Sequence, residues 1–207
     1  MISRTFTLDP LPPRRRFAPP GFRVLALGLL FPFLAVACCR SKAEPRPDAW
    51  ARPVPSATLK NWYQVDADVY RSEQPSRQGF EEIRAKGIKA VINLRHDHSD
   101  AALVAGLGFD LVEIPMRAWR FSEDDIVKAL KAIQAAPKPV LVHCEQGADR
   151  TGVVMAMYRI VVQGWTKAEA LAELKRGGYG FHRYFLNIPA FVRKADPARI
   201  KARLKTP

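Results

Sequence analysis

Residues 139–158 read PVLVHCEQGADRTGVVMAMY, and this stretch decides how the rest of the chain is interpreted. An apolar run from Pro139 to Val142 precedes a short polar segment, and a second apolar run begins at Val153. This pattern predicts a buried strand, a loop and the N-terminus of a buried helix. Backbone N–H groups at a helix N-terminus point in one direction and favour negative charge there. The loop therefore predicts an anion-binding site.

Two side chains add chemistry to that loop. Cys144 stands at its start and Arg150 at its end, with five residues between them. The field of a helix N-terminus favours the thiolate form of a cysteine, and a guanidinium group offers a planar fork to a tetrahedral oxyanion. Together they predict a phosphate held against a sulfur nucleophile. A buried inert cysteine and a sulfur-carrier loop are the alternatives.

The body of the chain alternates strand and helix patterns, with Ser76, Ser122 and Thr166 as predicted helix N-caps. Strands are predicted at 62–65, 68–71, 89–94, 110–114 and 139–142. Helices are predicted at 76–86, 100–107, 123–135, 151–163 and 166–176, with a further helical pattern over 184–204. The alternation predicts an α/β fold with a mostly parallel central sheet flanked by helices on both faces. Ligands bind at the carboxyl ends of such strands, where Cys144 falls.

The N-terminus has the pattern of a bacterial export signal. Arg14-Arg15-Arg16 precedes an apolar run over 24–37, and Cys38-Cys39 follows it. Residues 34–38, LAVAC, resemble a lipobox, whereas the run is shorter than the ~20 apolar residues of a spanning helix. An uncleaved anchor is the alternative. We predict an exported protein of the periplasm or cell envelope that a lipid anchors to the membrane.

Composition and patterning divide the chain into three parts. Residues 1–39 are the predicted export signal, 40–57 a proline-rich tether and 58–207 the catalytic domain. Lys and Arg number 33 against 20 Asp and Glu, which favours anionic partners. Because the basic residues are scattered and no nucleic-acid-binding motif is present, we predict no nucleic-acid partner.

The pattern His-Cys-x-x-Gly-x-x-Arg-Thr-Gly at 143–152 resembles the signature of cysteine-dependent protein tyrosine and dual-specificity phosphatases. Residues 69–75 and 91–95 look like segments of small bacterial and fungal members. Asp149 before Arg150 is similar to secreted bacterial phosphatases that act on phosphotyrosine and phosphoinositides. The resemblance implies that 58–207 is a phosphatase domain without metal or cofactor.

The resemblance also implies roles for the loop residues. Cys144 would attack phosphorus and form a cysteinyl-phosphate, and Arg150 would bind the phosphoryl oxygens. His143 would order the loop, and Thr151 would hydrogen-bond the cysteine sulfur. The phosphate would lie in a cradle of backbone N–H groups from six residues: Glu145, Gln146, Gly147, Ala148, Asp149 and Arg150.

The general acid is the one role that the resemblance leaves open. The family places an aspartate shortly after a strand ending in Ile-Pro, and Ala118 stands at the matching position after Ile114-Pro115. Asp149 is the favoured replacement. Asp124 and Asp125 are the alternatives, although acids in the first turn of a helix more often complement its dipole.

The predicted function is hydrolysis of phosphomonoesters, with a phosphorylated protein or a small anionic phosphoester as partner and phosphotyrosine as the favoured substrate class. An inositol phosphate or phosphoinositide phosphatase is one alternative, and the absence of lysine from the loop disfavours it. A weakly active phosphate-binding pseudophosphatase is the other alternative, because of Ala118.

Three further groups have less specific interpretations. His96-Asp97-His98 is interpreted as a solvated loop rather than a metal site. Arginines near strand ends are interpreted as surface charges, singly or at the mouth of the site: Arg71, Arg95, Arg117 and Arg120. Aromatic residues after the predicted helix at 166–176 are expected to close the core rather than line a pocket: Tyr179, Phe181, His182 and Tyr184.

Overall fold

The computed structural model describes residues 46–206, which form a six-stranded sheet with helices on both faces. The strands are β1 (Arg52–Pro53), β2 (Tyr63–Gln64), β3 (Val69–Ser72), β4 (Ala90–Arg95), β5 (Asp110–Met116) and β6 (Val140–His143). Their order in the sheet is β1-β2-β3-β6-β4-β5. The pairs β3–β6, β6–β4 and β4–β5 are parallel, and only the short edge pairs β1–β2 and β2–β3 are antiparallel. The predicted α/β fold with a mostly parallel sheet is confirmed.

Seven helices cover the sheet within the described residues. They are α1 (Arg77–Ala85), α2 (Ala101–Val104), α3 (Glu123–Ala135), α4 (Arg150–Val161), α5 (Lys167–Arg176), α6 (Asn187–Lys194) and α7 (Pro197–Leu204). The predicted N-caps Ser76, Ser122 and Thr166 each accept a hydrogen bond from the backbone N–H three residues ahead. The helix predicted over 100–107 is shorter, because the backbone leaves the helical conformation at Ala105 and Gly106 follows with a φ of +76°.

Both faces of the sheet are buried, as successive side chains of the central strands show. In β6, Val140 and Val142 pack into the larger core beneath α3 to α7, whereas Leu141 packs into the smaller core with residues of α1. β4 alternates in the same way, with Ile92 on one face and Val91 on the other. This double burial explains why the strands read as continuous apolar runs.

The centre of the sheet determines where the loop lies. β6 has a parallel neighbour on each side and ends at His143, and α4 begins seven residues later at Arg150. Every residue of α4 from Thr151 to Val161 is buried. The loop 144–149 is therefore fixed at both ends by buried elements at the carboxyl edge of the sheet.

The predicted tether needs a correction, because its described part, from residue 46 onward, packs against the domain. Arg46 donates hydrogen bonds to the carbonyl oxygens of Ala51 and Gly177 and to the hydroxyl of Tyr179. Ala51 is in the core, and its N–H donates to the carboxylate of Glu173 at 2.7 Å. The proline content predicted an extended tether. Residues 52–53 are extended, but they form the edge strand β1 of the sheet.

The predicted export signal over 1–39 lies outside the described residues. Within residues 46–206, no helix has the length and apolar composition needed to cross a membrane.

Candidate active site

The predicted nucleophile lies at the bottom of a cavity. Cys144 follows β6 directly and is 2% exposed. It lines a cavity of about 310 Å³ together with Arg150 and Asp149. The structure thus brings the three predicted catalytic residues to one place.

The loop carbonyl groups are turned away from this cavity. The carbonyl oxygens of Glu145, Gln146 and Gly147 accept hydrogen bonds from the Gln74 N–H, the Asn61 side chain and the Arg71 side chain, at 3.0, 2.6 and 2.5 Å. In a trans peptide the N–H points opposite to the carbonyl of the same unit.

The outward carbonyls therefore direct the following N–H groups inward. The N–H groups of residues 145–149 donate to no backbone carbonyl within the described part of the chain. Polar groups of this kind, held by surrounding bonds, form a preorganised anion cradle.

Gly147 is required by the way the loop approaches β3. Its φ is +67°, and a Cβ atom there would lie 2.5 Å from the backbone carbon and oxygen of Ser72. No side chain fits in that space. The close approach is what allows Arg71, also on β3, to reach the carbonyl of Gly147 from below.

The interpretation of Arg71 as a surface charge is wrong. Its side chain is buried, with its guanidinium carbon 3.6 Å from the ring centroid of Tyr179. Burial lowers its pKa, although the nearby Tyr179 hydroxyl and Glu173 carboxylate oppose that shift. The sequence signal for this role is weak, since an arginine at a strand end is usually exposed.

A buried hydrogen-bonded chain supports the loop from behind. The Nε2 of His143 donates to Asp100 at 2.6 Å, and both side chains are inaccessible to solvent. Gln74 donates to the other carboxylate oxygen of Asp100 at 2.7 Å and accepts from Arg95 at 3.1 Å. Because the N–H of Gln74 also binds the carbonyl of Glu145, this chain couples His143 to the loop. The predicted ordering role of His143 therefore runs through Asp100, which sequence reasoning treated only as the start of a helix.

The ionisation state of Asp100 fits this arrangement. Burial alone would raise its pKa, but the hydrogen bond and positive charge of His143 and the bond from Gln74 outweigh it. The net result is a pKa below the ordinary value for aspartate. Asp100 is thus held as a carboxylate that accepts hydrogen bonds from His143 and Gln74.

Arg150 is free to bind a ligand. Its only side-chain bonds to described residues are long: 3.4 Å to the carbonyl of Met116 and 3.3 Å to the carboxylate of Glu145. Glu145 is mostly exposed, so this ion pair is weak and screened. An anion with two oxygens in the cradle can replace both contacts.

The carboxyl groups that could supply a proton are now distinguishable. Asp124 pairs with Arg203, and Asp125 forms the capping box with Ser122, so neither alternative lines the cavity. Asp149 does line it. Its two carboxylate oxygens accept from the backbone N–H and the Nδ1 of His182, at 3.0 and 2.7 Å.

Besides Asp149, the carboxyl groups of Glu145 and Asp97 line the cavity. Asp97 lines it beside His96, with which it is hydrogen-bonded. The bond from His96, together with the charges of Arg117 and Arg150, lowers the pKa of Asp97. His96 and Asp97 therefore contribute to the site, although the sequence of this segment indicated a solvated loop. Within residues 46–206, no cluster of three or more metal-ligating side chains occurs.

Two predicted details differ from the structure. The hydroxyl of Thr151 is buried and has no hydrogen-bond partner within the described chain, so it does not reach the sulfur of Cys144. Among the aromatic residues expected in the core, Tyr179 is buried, but Tyr184 is 70% exposed and lines the cavity.

The mouth of the cavity combines aromatic and basic side chains. Trp119 is 66% exposed and lies across from Tyr184 and Phe185 as part of the lining. Arg95 and Arg117 line it as predicted, whereas Arg120 does not. Such a site can hold a phosphoryl group at its base and a flat ring at its entrance.

Comparisons with known proteins agree with this geometry. A family model described as "Polymorphic toxin system, DSP-PTPase phosphatase" matches residues 65–164. The dual specificity protein phosphatase TpbA of Pseudomonas aeruginosa is 39% identical over 157 residues, which cover 74% of this chain and 70% of that protein. A crystal structure of P. aeruginosa TpbA in complex with pTyr has a TM-score of 0.71 at 33% identity, covering 78% of this chain and 99% of that chain. The catalytic core of the PP-IP phosphatase SIW14 from Saccharomyces cerevisiae has a TM-score of 0.64 at 22% identity, covering 72% and 93%, which is a likeness of fold.

Proposed function

Because the chain belongs to the cysteine-dependent tyrosine and dual-specificity phosphatase superfamily and is a phosphoric monoester hydrolase of that type, we propose that it hydrolyses phosphotyrosine esters through a cysteinyl-phosphate on Cys144. One observation carries the mechanism: the thiol lies at the base of a loop in which the carbonyl groups of Glu145, Gln146 and Gly147 are bonded outward. The N–H groups opposite those carbonyls bind the phosphoryl oxygens, and Arg150 binds them from the rim.

The reaction proceeds in two displacements. The Cys144 thiolate attacks phosphorus, the bond from phosphorus to the ester oxygen breaks, and the leaving oxygen takes a proton. Water then attacks the cysteinyl-phosphate and releases inorganic phosphate and the thiolate. Charge on the phosphoryl oxygens is stabilised throughout by the cradle and the guanidinium group.

We assign the proton transfers to Asp149. It lines the cavity, so it can give its proton to the leaving oxygen in the first displacement and take a proton from the attacking water in the second. The backbone N–H and the Nδ1 of His182 hold its carboxyl group in place. Asp97 is the less suitable donor, because its side chain is 85% exposed to water, whereas that of Asp149 is 9% exposed and lies at the cavity. Asp149 therefore takes the role that an aspartate at the position of Ala118 has in the family pattern.

The aromatic walls support phosphotyrosine as the substrate. Trp119, Tyr184 and Phe185 offer ring faces at the entrance, where the aryl group of a phosphotyrosine would lie. TpbA, the relative solved in complex with pTyr, is consistent with this assignment.

The test uses p-nitrophenyl phosphate in the presence of EDTA. Wild-type protein should hydrolyse p-nitrophenyl phosphate, and a phosphoenzyme should be recovered after quenching with acid. The Cys144→Ser variant should show neither hydrolysis nor phosphoenzyme, and it should still bind inorganic phosphate. Hydrolysis by the Cys144→Ser variant would show that Cys144 is not the nucleophile. Phosphate binding without any turnover by the wild type would make the protein a phosphate-binding module.

A substrate panel then separates the substrate classes. Phosphotyrosine peptides should be hydrolysed with a higher kcat/KM than phosphoserine peptides or inositol phosphates, because only the first present a flat aromatic ring to the aromatic entrance. A preference for inositol phosphates would favour the alternative class.

We propose export to the cell envelope from three features of residues 1–39: the arginines at 14–16, the apolar run at 24–37 and the lipobox-like LAVAC at 34–38. The mature protein should be recovered in the membrane fraction of its bacterial host, with a lipid-modified N-terminal Cys38. Cys38→Ala should move it out of that fraction. A mature N-terminus elsewhere, with the protein still in the membrane, would favour the uncleaved anchor.

A further inference from the structure

A second and larger concave surface lies beside the active site. It has a volume of about 820 Å³ and is formed by α5, α6 and the segment between them. We call it the basic groove. Its apolar part includes Leu171, Phe181 and Leu186.

The charge of the basic groove is one-sided. Lys175, Arg176, Arg183 and Arg193 line it, and no acidic residue does. Within residues 46–206, none of these four forms an ion pair. The basic residues of α7 behave differently, since Arg199 and Arg203 are paired with acids of α3. The positive charge of the groove is thus unneutralised, which favours an anionic ligand.

The apolar part of the groove is also unusual. Leu186 is 74% exposed, the highest value among the four exposed large hydrophobic side chains of the described residues. Two of the others, Trp119 and Tyr184, are at the mouth of the active-site cavity. Exposed apolar side chains rimmed by charge are typical of binding surfaces. Here they extend from the cavity to the groove.

One segment joins the two surfaces. Tyr184 and Phe185 line the active-site cavity, whereas Arg183 and Leu186 line the groove. Neighbouring residues along a chain are at most about 3.8 Å apart at their Cα atoms, so the two linings meet within one residue. A single extended ligand can therefore occupy both.

From these observations we propose that the basic groove binds an acidic segment of a polypeptide substrate, adjacent in sequence to the phosphorylated residue. Carboxylates of that segment contact the four basic side chains, and an apolar side chain packs on Leu186 and Phe181. The proposal rests on the proposed function for its phosphorylated residue. A polypeptide fits better than a membrane surface, because the ligand must be narrow enough to enter the cavity and the concave groove together.

The test compares two phosphotyrosine peptides of equal length on full-length protein. One has Asp, Glu and Leu flanking the phosphotyrosine, and the other has Gln and Ala in their place. The groove variant is Arg176→Glu with Arg193→Glu. The matched control is Lys194→Glu with Lys201→Glu, which makes the same change in net charge at exposed positions outside the groove.

Wild type should prefer the acidic peptide, and the groove variant should lose about tenfold in kcat/KM for it, as expected for two surface charge contacts turned repulsive. Turnover of p-nitrophenyl phosphate and of the neutral peptide should stay within about twofold, and the control variant should behave like wild type. The preference should also fall as salt is raised.

Binding gives an independent measurement. By fluorescence anisotropy, Cys144→Ser protein should bind the unphosphorylated acidic peptide, and adding the two groove substitutions should abolish that binding. Equal kcat/KM for both peptides in the wild type would overturn the groove and leave the proposed function intact. Failure to hydrolyse any monoester would overturn the proposed function, and the anisotropy measurement would still decide the groove. The groove substitutions could instead release the protein from anionic phospholipid vesicles and leave both peptide measurements unchanged. That result would overturn the polypeptide ligand and identify a membrane surface as the ligand of the groove.

Discussion

Two histidine–aspartate pairs lie on opposite sides of the phosphate loop, and they differ in burial far more than in geometry. Behind the loop, His143 and Asp100 are 2.6 Å apart and neither side chain is accessible to solvent. At the cavity, His182 and Asp149 are 2.7 Å apart, with side chains 32% and 9% exposed. The same two groups thus occur in a sealed and in an open environment.

The difference indicates what each pair can do. Asp100 faces no cavity, and both of its oxygens are engaged by protein donors, so it positions His143 and the loop. Asp149 lines the cavity, so its carboxyl group is accessible to a bound substrate and to the attacking water. Proton transfer requires access to substrate, whereas positioning requires a fixed and fully bonded environment.

Asp149→Asn should have the largest effect on activity. An amide cannot donate the proton to the leaving oxygen, so kcat for a phosphotyrosine peptide should fall by about 100-fold or more. An ester with a better leaving group should be affected less, because it needs the proton less. The basic limb of the pH–rate profile should flatten, since that limb reports loss of the protonated acid.

The same variant should change stability less than Asp100→Asn does, because His182 is 32% exposed and water can bond to the donor that faces the new NH₂ group. Urea unfolding measures this. A large loss of stability with an unchanged pH profile would show that Asp149 acts like Asp100 and only holds the 182–186 segment in place.

Asp100→Asn should show the reverse pattern. One of its two donors, His143 or Gln74, would face an NH₂ group, and an unsatisfied buried group costs about 1–3 kcal/mol. We expect urea unfolding to show a loss of that size. Activity should fall by about tenfold through a displaced loop, and the shape of the pH profile should remain.

The stability difference for this variant should depend on pH. The pKa of Asp100 is lowered in the folded state, so its contribution is complete above the unfolded value of about 4. It is lost as the pH falls through the lower, folded pKa. The gap in unfolding free energy between wild type and Asp100→Asn should therefore narrow below about pH 4. A constant gap would show that the carboxylate charge contributes nothing.

The fold was largely predictable, because its signals are local. Apolar runs such as 139–142 are buried on both faces, and Ser122 and Thr166 cap helices through contacts three residues away. The positions of Cys144 and Arg150 were predictable for the same reason, since strand, loop and helix are contiguous.

The parts that could not be predicted depend on contacts distant in sequence. Asp100 meets His143 across 43 residues, and Arg71 meets Gly147 across 76. His182 meets Asp149 across 33 residues, so it looked like one of several core aromatic residues. Ala51 looked like part of a tether because its partner, Glu173, is 122 residues away. In each case local composition was consistent with an ordinary role and only the tertiary fold supplied the partner.

A third histidine–aspartate pair tests how far the comparison extends. His96 and Asp97 also line the cavity, but the Asp97 side chain is 85% exposed. Asp97→Asn should change kcat/KM by no more than about threefold, because exposed charges are screened by water and salt. The direction should be a lower KM with unchanged kcat, since the substitution removes a negative charge near a dianionic substrate. The effect should be larger at low salt. A fall in kcat together with loss of the basic limb of the pH–rate profile would instead identify Asp97 as the proton donor. An exposed carboxyl group would then be better suited to proton transfer than the partly buried Asp149.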